Sequence, residues 1–131
     1  MSAVSLDRLP VDVQPQDDSC PVARTAAVIG SKWTLLVIRD LATGTKRFNE
    51  LEKSLQGISA KTLSERLRSL EQEGILVRQA FAEIPPRVEY SLTPFGRSLE
   101  PLILLMSEWG ETYLSTIVAH KNTAMSVEKS S

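Results

Sequence analysis

The sequence has few of the residues from which disulfides and metal sites are built. Its 131 residues include one cysteine, Cys20, and one histidine, His120. One cysteine excludes a disulfide within the chain and a zinc site made of several cysteines, and a single histidine leaves little for binding another metal. We therefore expect a protein without a metal or other cofactor, because this length suffices for a hydrophobic core without such supports.

Long apolar runs are missing as well. No stretch approaches the roughly 18 consecutive apolar residues that a membrane-spanning helix needs. Residues 1–19 have no basic segment followed by an apolar run, so we expect a flexible arm rather than a signal peptide. These features predict a cytoplasmic protein with no membrane association. The hydrophobic fraction of 42% and the charged fraction of 24% are typical of one soluble domain.

Catalytic motifs and an excess of positive charge are also absent. His120 has no nucleophile motif and no phosphate-binding glycine loop near it, so we do not expect an enzyme. The formal net charge of −1 does not by itself suggest nucleic acid. Residues 45–90 nevertheless carry eight basic and seven acidic side chains, whereas each flank is net negative. This distribution agrees with a DNA-binding region in the middle of the chain.

A succession of short amphipathic helices occupies the first half of the chain. Apolar residues recur at helical spacing between glycines and capping residues, and residues 45–47 read as a short connector with one or two strand residues. The predicted helices are 21–29, 31–43, 48–55 and 59–73.

The helix over 59–73 is the segment around which the rest is organised. Ser59 is a suitable N-cap, and Gly74 fits the left-handed position that follows a helix. Leu63, Leu67 and Leu70 form one apolar stripe, which predicts a narrow face toward the core. The opposite face is polar and carries Lys61, Thr62, Glu65, Arg68, Ser69 and Gln72. The alternative interpretation is an ordinary amphipathic helix whose polar face is simply solvated.

The neighbours of this helix predict a winged helix-turn-helix. A three-residue turn, 56–58, separates it from the helix over 48–55, which is helix-turn-helix spacing. After Gly74 the pattern switches to a period of two over 75–81 and again over 87–92, with two prolines at the tip between them. We therefore expect a mainly α fold with a small β-hairpin wing.

The C-terminal third reads as one long interrupted helix. Thr93 and Pro94 begin it, and Pro101 predicts a kink or a break near 97–101. Its apolar surface exceeds what a small core covers, which favours a dimer interface, with packing inside the chain as the alternative. The predicted interface residues are Leu99, Leu102, Ile103, Met106, Trp109 and Tyr113. The domain is expected to span 20–119, followed by a disordered tail over 120–131.

These segments resemble the HxlR family of bacterial transcription regulators, a branch of the MarR-like winged-helix proteins. The resemblance runs from residue 20 to about 111 and rests on CPVARTAAVIGSKWTLLVIRDL, RFNELEKSLQGISAKTLSERLRSLEQEGIL, PPRVEYSLTPFG and LEPLILLMSEWGE. It implies a homodimer that binds two half-sites on operator DNA and regulates nearby genes. We expect dimerisation through N- and C-terminal helices, a palindromic operator and repression of transcription, with activation as the alternative. The alternative is a winged helix used for protein–protein contact without DNA binding.

The outer face of the helix over 59–73 would contact bases in the major groove, because residues near the start of a recognition helix reach base edges. We expect Lys61, Thr62, Glu65 and Arg68 to do so. Glu65 has an alternative role as the helical partner of Arg68.

Phosphate contacts are expected around this helix and at the wing. The candidates for phosphates are Ser59, Ser69, Lys46, Arg47 and Lys53. Arg87 in the wing segment 82–87 would enter a minor groove or meet a phosphate, and its alternative role is pairing with Glu83 or Glu89 across or along the hairpin.

Cys20 is the candidate for a signal input. The partial positive charge at the start of a helix favours a thiolate, whereas Asp17 and Asp18 oppose it. Its position resembles that of the N-terminal cysteine of oxidant-sensing HxlR-type proteins, and without a second cysteine oxidation would give a bridge between two protomers or a mixed disulfide with a small thiol. The alternative is a structural residue without a sensing role. A small-molecule effector stacked on Trp33 or Trp109 is a further alternative to their roles as core or interface anchors.

Overall fold

In the computed structural model of the protein, the described residues are 20–129, with side chains described up to residue 122. The arm predicted over 1–19 lies outside the described residues. The chain is mainly helical, and the elements in chain order are α1 (Pro21–Ile29), α2 (Lys32–Ala42), β1 (Lys46–Arg47), α3 (Phe48–Ser54), α4 (Ala60–Gln72), β2 (Leu76–Phe81), β3 (Arg87–Leu92), α5 (Pro94–Arg97) and α6 (Glu100–Lys129). Within these residues, no helix is both long enough and apolar enough to cross a bilayer.

The core forms between α2, α3, α4 and the hairpin. The buried stripe of α2 is Thr34, Val37, Ile38 and Leu41, which follows the helical spacing of three and four residues. Leu36 is half-buried and packs against this core, whereas Ile38 is fully buried.

The helix α4 confirms the pattern read from the sequence. The Ser59 hydroxyl accepts a hydrogen bond from the Thr62 N–H at 3.0 Å, which is the predicted N-cap. Leu63, Leu67 and Leu70 are each exposed by 2% or less. Gly74 follows the helix with φ of +75°, a conformation that favours glycine. The polar side of α4 is therefore turned away from the core.

The predicted wing is a hairpin of two six-residue antiparallel strands, with β1 added as a third strand beside β3. The register pairs Leu76 with Leu92 at the base and Phe81 with Arg87 near the tip. Both leucines are buried, so the base of the hairpin belongs to the core while its tip projects away from it. The winged helix-turn-helix prediction is confirmed.

The C-terminal segment is broken where the prolines predict it. Thr93 caps α5 by accepting from the Gly96 N–H at 2.9 Å, and α5 ends at Arg97. The next helix, α6, begins at Glu100, which places Pro101 in its first turn, where no backbone N–H is needed.

The helix α6 also extends farther than the sequence analysis indicated. It continues to Lys129, which differs from the disordered tail predicted over 120–131. Residues 120–129 contain neither proline nor glycine, so nothing in them ends a helix that has already formed; their polar composition suggested disorder because it offers little to bury. Residues 130 and 131 lie outside the described part.

Candidate nucleic-acid interface

The polar side of α4 is an exposed surface with hydrogen-bonding groups. Lys61, Glu65, Arg68 and Ser69 are exposed, whereas Thr62 is half-buried. The Thr62 hydroxyl accepts a hydrogen bond from the Ser59 hydroxyl at 2.9 Å, so two of the predicted site residues are joined at the start of the helix. A helix end with exposed polar side chains has the shape and chemistry that fit a DNA major groove.

Glu65 and Arg68 do not pair with each other. In the described part of the chain, the ion pairs within 4.0 Å lie elsewhere, on α2, on the wing and at the start of α6. The guanidinium of Arg68 and the carboxylate of Glu65 therefore both face solvent, and each is available to an external partner. The ion pair with Arg68, which was the alternative role of Glu65, does not form in the described part of the chain.

A groove runs between α4 and the wing. Its walls contain residues that the sequence analysis did not single out, among them Ser64, Arg78 and Tyr90, together with Glu65 and Arg68. Arg78 and Tyr90 could have been predicted as groove residues if the register of the two strands had been known. Arg78 lies directly opposite Tyr90 on β3, and residues paired in this way project from the same face of a sheet. That face turns toward α4, because it also carries the buried Leu76 and Leu92 of the core.

The two basic residues of β1 lie on an outer strand of the same sheet. Lys46 pairs with Tyr90 and Arg47 with Glu89. Lys46 is half-buried and Arg47 is exposed. The backbone N–H of Arg47 donates to the Glu50 carboxylate at 2.9 Å, which secures the start of α3 and leaves the Arg47 side chain outward. Lys53 at the end of α3 is also exposed. These cations lie on the sheet edge and on α3, rather than on α4 itself.

The wing arginine has both of the partners that the sequence analysis considered. The Arg87 guanidinium lies 3.0 Å from a carboxylate oxygen of Glu83 and 3.5 Å from one of Glu89. It also lies 4.0 Å from the centre of the Phe81 ring, in cation–π geometry. Its side chain is 28% exposed. Every residue of the tip, 82–86, is exposed.

The predicted interface residues of the C-terminal segment fall into two groups. Leu99, Leu102 and Ile103 pack against the core of their own domain. Further along α6, apolar side chains are exposed, and the Trp109 and Tyr113 rings stack with centroids 5.2 Å apart. The exposed group contains Met106, Trp109 and Tyr113, together with Leu104, Leu105, Leu114 and Val118, which the sequence analysis did not name.

Cys20 is the N-cap residue of α1 and is half-buried. Its carbonyl oxygen accepts from the Arg24 N–H at 2.9 Å, while its thiol makes no capping hydrogen bond. Within the described residues, no cluster of three or more histidine, cysteine or carboxylate side chains is placed to hold a metal ion. His120 is exposed on α6.

Comparison with known proteins agrees with this geometry. A family model described as HxlR-like helix-turn-helix matches residues 28–118. The uncharacterised HTH-type transcriptional regulator YdeP of Bacillus subtilis is 44% identical over 111 residues, which are 84% of this chain and 87% of that protein.

Two solved structures of related proteins have the same fold. The redox regulator HypR in its oxidised form superposes with a TM-score of 0.68 at 47% identity, over 71% of this chain and 96% of that chain. The reduced form of the transcriptional regulator YodB from B. subtilis gives a TM-score of 0.63 at 38% identity, over 72% of this chain and 93% of that one.

Proposed function

The chain belongs to the HxlR-like helix-turn-helix family of DNA-binding transcriptional regulators, and from this premise we propose that it represses transcription by binding a two-half-site operator as a homodimer. The observation that carries the proposal is the exposed polar side of α4, whose cations have no partner within the described chain. A buried or internally paired face would have no capacity left for DNA.

In this proposal α4 lies in the major groove. Lys61, Thr62, Glu65 and Arg68 would contact base edges, with Arg68 directed at guanine O6 and N7 and Glu65 at a cytosine amino group. Ser69 would donate to a phosphate, and Ser59 would do so after its hydroxyl proton turns from the Thr62 hydroxyl to the phosphate. The N–H groups at the start of α4 also favour a phosphate there.

Flanking contacts would come from the sheet. Lys46 and Arg47 on β1 would meet the DNA backbone. The wing, residues 82–87, would lie on the minor groove or on the backbone beside it. Because the protein is net acidic, affinity would depend on these few cations and would fall as salt rises.

The second protomer would join along α6 and α1. The exposed apolar side chains of α6 support this, because a helix with so many uncovered apolar residues is typical of an association surface. In such a dimer the two copies of α4 would lie about 34 Å apart, one turn of the duplex. Val22 on α1, also exposed, would extend the same surface.

Control by oxidation would act through Cys20. Its support is the half-buried thiol at the start of α1 and the similarity to HypR and YodB, which are known in reduced and in oxidised or diamide-treated forms. Two Cys20 thiols would lose two protons and two electrons to an oxidant such as a diazene and form one disulfide between protomers.

A mobility-shift assay with the promoter DNA beside the protein's own gene tests the proposal. We expect a saturable complex whose log affinity falls linearly with log salt, with a slope of about −0.9 per phosphate neutralised. A scrambled fragment of the same length is the control. No salt-sensitive binding to any such fragment would favour a winged helix used for protein–protein contact instead.

A further inference from the structure

The tip of the wing carries exposed apolar side chains. Ile84 has 102% of its reference surface exposed, more than any other large apolar side chain of the described residues. Pro85 and Pro86 follow it and are exposed too. These three residues sit at the end of a hairpin of two six-residue strands, so they project from the domain instead of lying on its surface.

The single cation of residues 82–87 is engaged by the hairpin itself. Arg87 binds the carboxylates of Glu83 and Glu89 and stacks on Phe81. The Glu83 N–H donates to the Phe81 carbonyl oxygen at 2.9 Å, which fixes the turn into the tip. To reach a phosphate, Arg87 would have to leave two partly exposed ion pairs and an aromatic face, and two carboxylates would then remain near the DNA without a partner.

We propose that the wing enters the DNA minor groove with Ile84 as an apolar contact at a base step, and that Arg87 is a positioning residue which holds the tip in shape. This inference rests on the DNA binding proposed above and specifies what the wing does there. Proteins that bind the minor groove frequently place isoleucine, leucine or proline against base steps, where the side chain partly unstacks neighbouring bases.

Duplex DNA is the occupant that the surroundings of the tip favour. The groove beside the hairpin is lined by residues of α4 and by Arg78 and Tyr90 of the wing strands, so the polar surface of α4 continues onto the strands that carry the tip. A contact with the DNA phosphates would require a cation without a partner. Residues 82–87 contain only one cation, Arg87, which is already paired with Glu83 and Glu89. A narrow turn with compact apolar residues fits a groove about 6 Å wide, which a helix does not enter.

This contact has a consequence for sequence preference. The minor groove of a G·C pair carries the guanine amino group, which would obstruct an apolar side chain on the groove floor, whereas A·T pairs leave that position open. Pyrimidine–purine steps also unstack most easily. The base pairs under each wing should therefore favour A·T, and a TA step in particular.

The test uses the full-length protein and its operator fragment, mapped by footprinting. Three variants are compared with the wild type. Ile84→Ser removes the apolar side chain, Ile84→Met keeps one, and Arg87→Ala removes the cation. We expect Ile84→Ser to weaken binding about tenfold, the order of one lost base contact. Ile84→Met should stay near the wild type. In the wild-type complex, the thymine of the step under the wing should become reactive toward permanganate as the base unstacks, and Ile84→Ser should abolish this change.

Two further readouts separate the roles of the residues. Replacing G·C under the wing by inosine–cytosine removes the minor-groove amino group and leaves the major groove as it is, so the wild type should bind more tightly and Ile84→Ser should not. Arg87→Ala should lower the permanganate signal without changing the salt slope, because no phosphate contact is lost. Arg87→Lys should restore part of the signal through the Glu83 pair.

The outcomes distinguish this inference from the function on which it rests. If the wild type binds DNA but Ile84→Ser binds equally well, with the same inosine response, the wing tip does not read the minor groove and the inference is overturned while the function stands. If Arg87→Ala reduces the salt slope by about one phosphate, Arg87 is a backbone ligand and the inference is again overturned. If the wild type fails to bind any fragment, both fall together.

Discussion

The hydroxyl of Thr93 donates to the carbonyl oxygen of Gly74 at 2.6 Å, so the residue that begins α5 holds the residue that follows α4. The same hydroxyl accepts from the Gly96 N–H, and the Thr93 N–H donates to the Ile75 carbonyl oxygen at 3.0 Å. Thr93 thus joins the end of α4, the base of the wing and the start of the C-terminal helices. The relative placement of these three parts depends on this junction.

Gly96 is the most tightly packed point of that junction. A Cβ atom at this position would lie 2.0 Å from the Ile75 carbonyl oxygen, a backbone atom that cannot rotate away. We expect Gly96→Ala to lower the free energy of unfolding by about 1–3 kcal/mol, as overpacking does. Urea denaturation followed by circular dichroism measures it.

Gly110→Ala is the matched control for Gly96→Ala. No atom of the described chain, outside its immediate helical neighbourhood, lies within 4 Å of a Cβ at this position in α6. The same substitution should therefore raise the free energy of unfolding there by about 0.5–1 kcal/mol through helix propensity. Equal effects at the two positions would contradict the packing explanation.

The N-cap of α4 should contribute measurably to stability. The Ser59 hydroxyl accepts from the Thr62 N–H, whereas Ser31, the N-cap residue of α2, makes no such hydrogen bond. Ser59→Ala should therefore cost about 1 kcal/mol of unfolding free energy and Ser31→Ala a few tenths. Thermal unfolding at one protein concentration compares them. A larger loss in Ser31→Ala would show that capping does not set the difference.

The parts of the fold predicted from the sequence are those determined by local pattern. The cap, the leucine stripe and the terminal glycine of α4 lie within 16 consecutive residues, and each is a local signal. The hairpin was predictable because two prolines cannot pair within a ladder and mark its tip. Pro101 likewise marked the break before α6.

The remaining features depend on tertiary contacts that local pattern does not contain. The alternation of apolar and polar residues predicted the strands. It did not predict that Arg78 lines the groove, because that depends on the register that places Arg78 opposite Tyr90. The sequence offered Glu83 and Glu89 as alternative partners of Arg87, and the hairpin brings both within reach. In α6 the helical pattern could not separate side chains that face their own core, such as Leu102, from those left exposed, such as Trp109.

Arg68 should carry sequence preference if α4 reads bases. It is exposed on α4 and has no ion pair in the described chain. Arg68→Ala should weaken operator binding by about 1–3 kcal/mol and relax the preference at one base pair of each half-site, as measured with a set of single-base operator variants. Lys121→Ala on α6 is the control, because it removes one charge far along the chain. An equal loss in both variants would indicate general electrostatics instead of base contact.

Trp109 should be required for dimerisation if α6 forms the interface. Its side chain is 68% exposed in the protomer, and aromatic side chains dominate many interfaces. Trp109→Glu should raise the dimer dissociation constant at least about 30-fold, equivalent to about 2 kcal/mol, in sedimentation velocity experiments. Ser115→Glu adds the same charge about 120° around the helix, on the polar side that carries Glu108 and Glu111, and should leave the dimer intact. A Trp109→Glu protein that sediments as the wild type would place the interface elsewhere.

Cys20 should connect oxidation to DNA release. The thiol is half-buried at the start of α1, the helix expected to join the dimer interface, so a bridge there would shift the two copies of α4 relative to each other. Diamide should convert the wild type to a covalent dimer on a non-reducing gel and release it from the operator, and dithiothreitol should reverse both. Cys20→Ser should bind the operator normally and resist release. If diamide releases Cys20→Ser to the same degree, oxidation acts through another group. If the wild type is released without a covalent dimer in a reaction that also contains glutathione, mass spectrometry should show a mixed disulfide between Cys20 and that thiol.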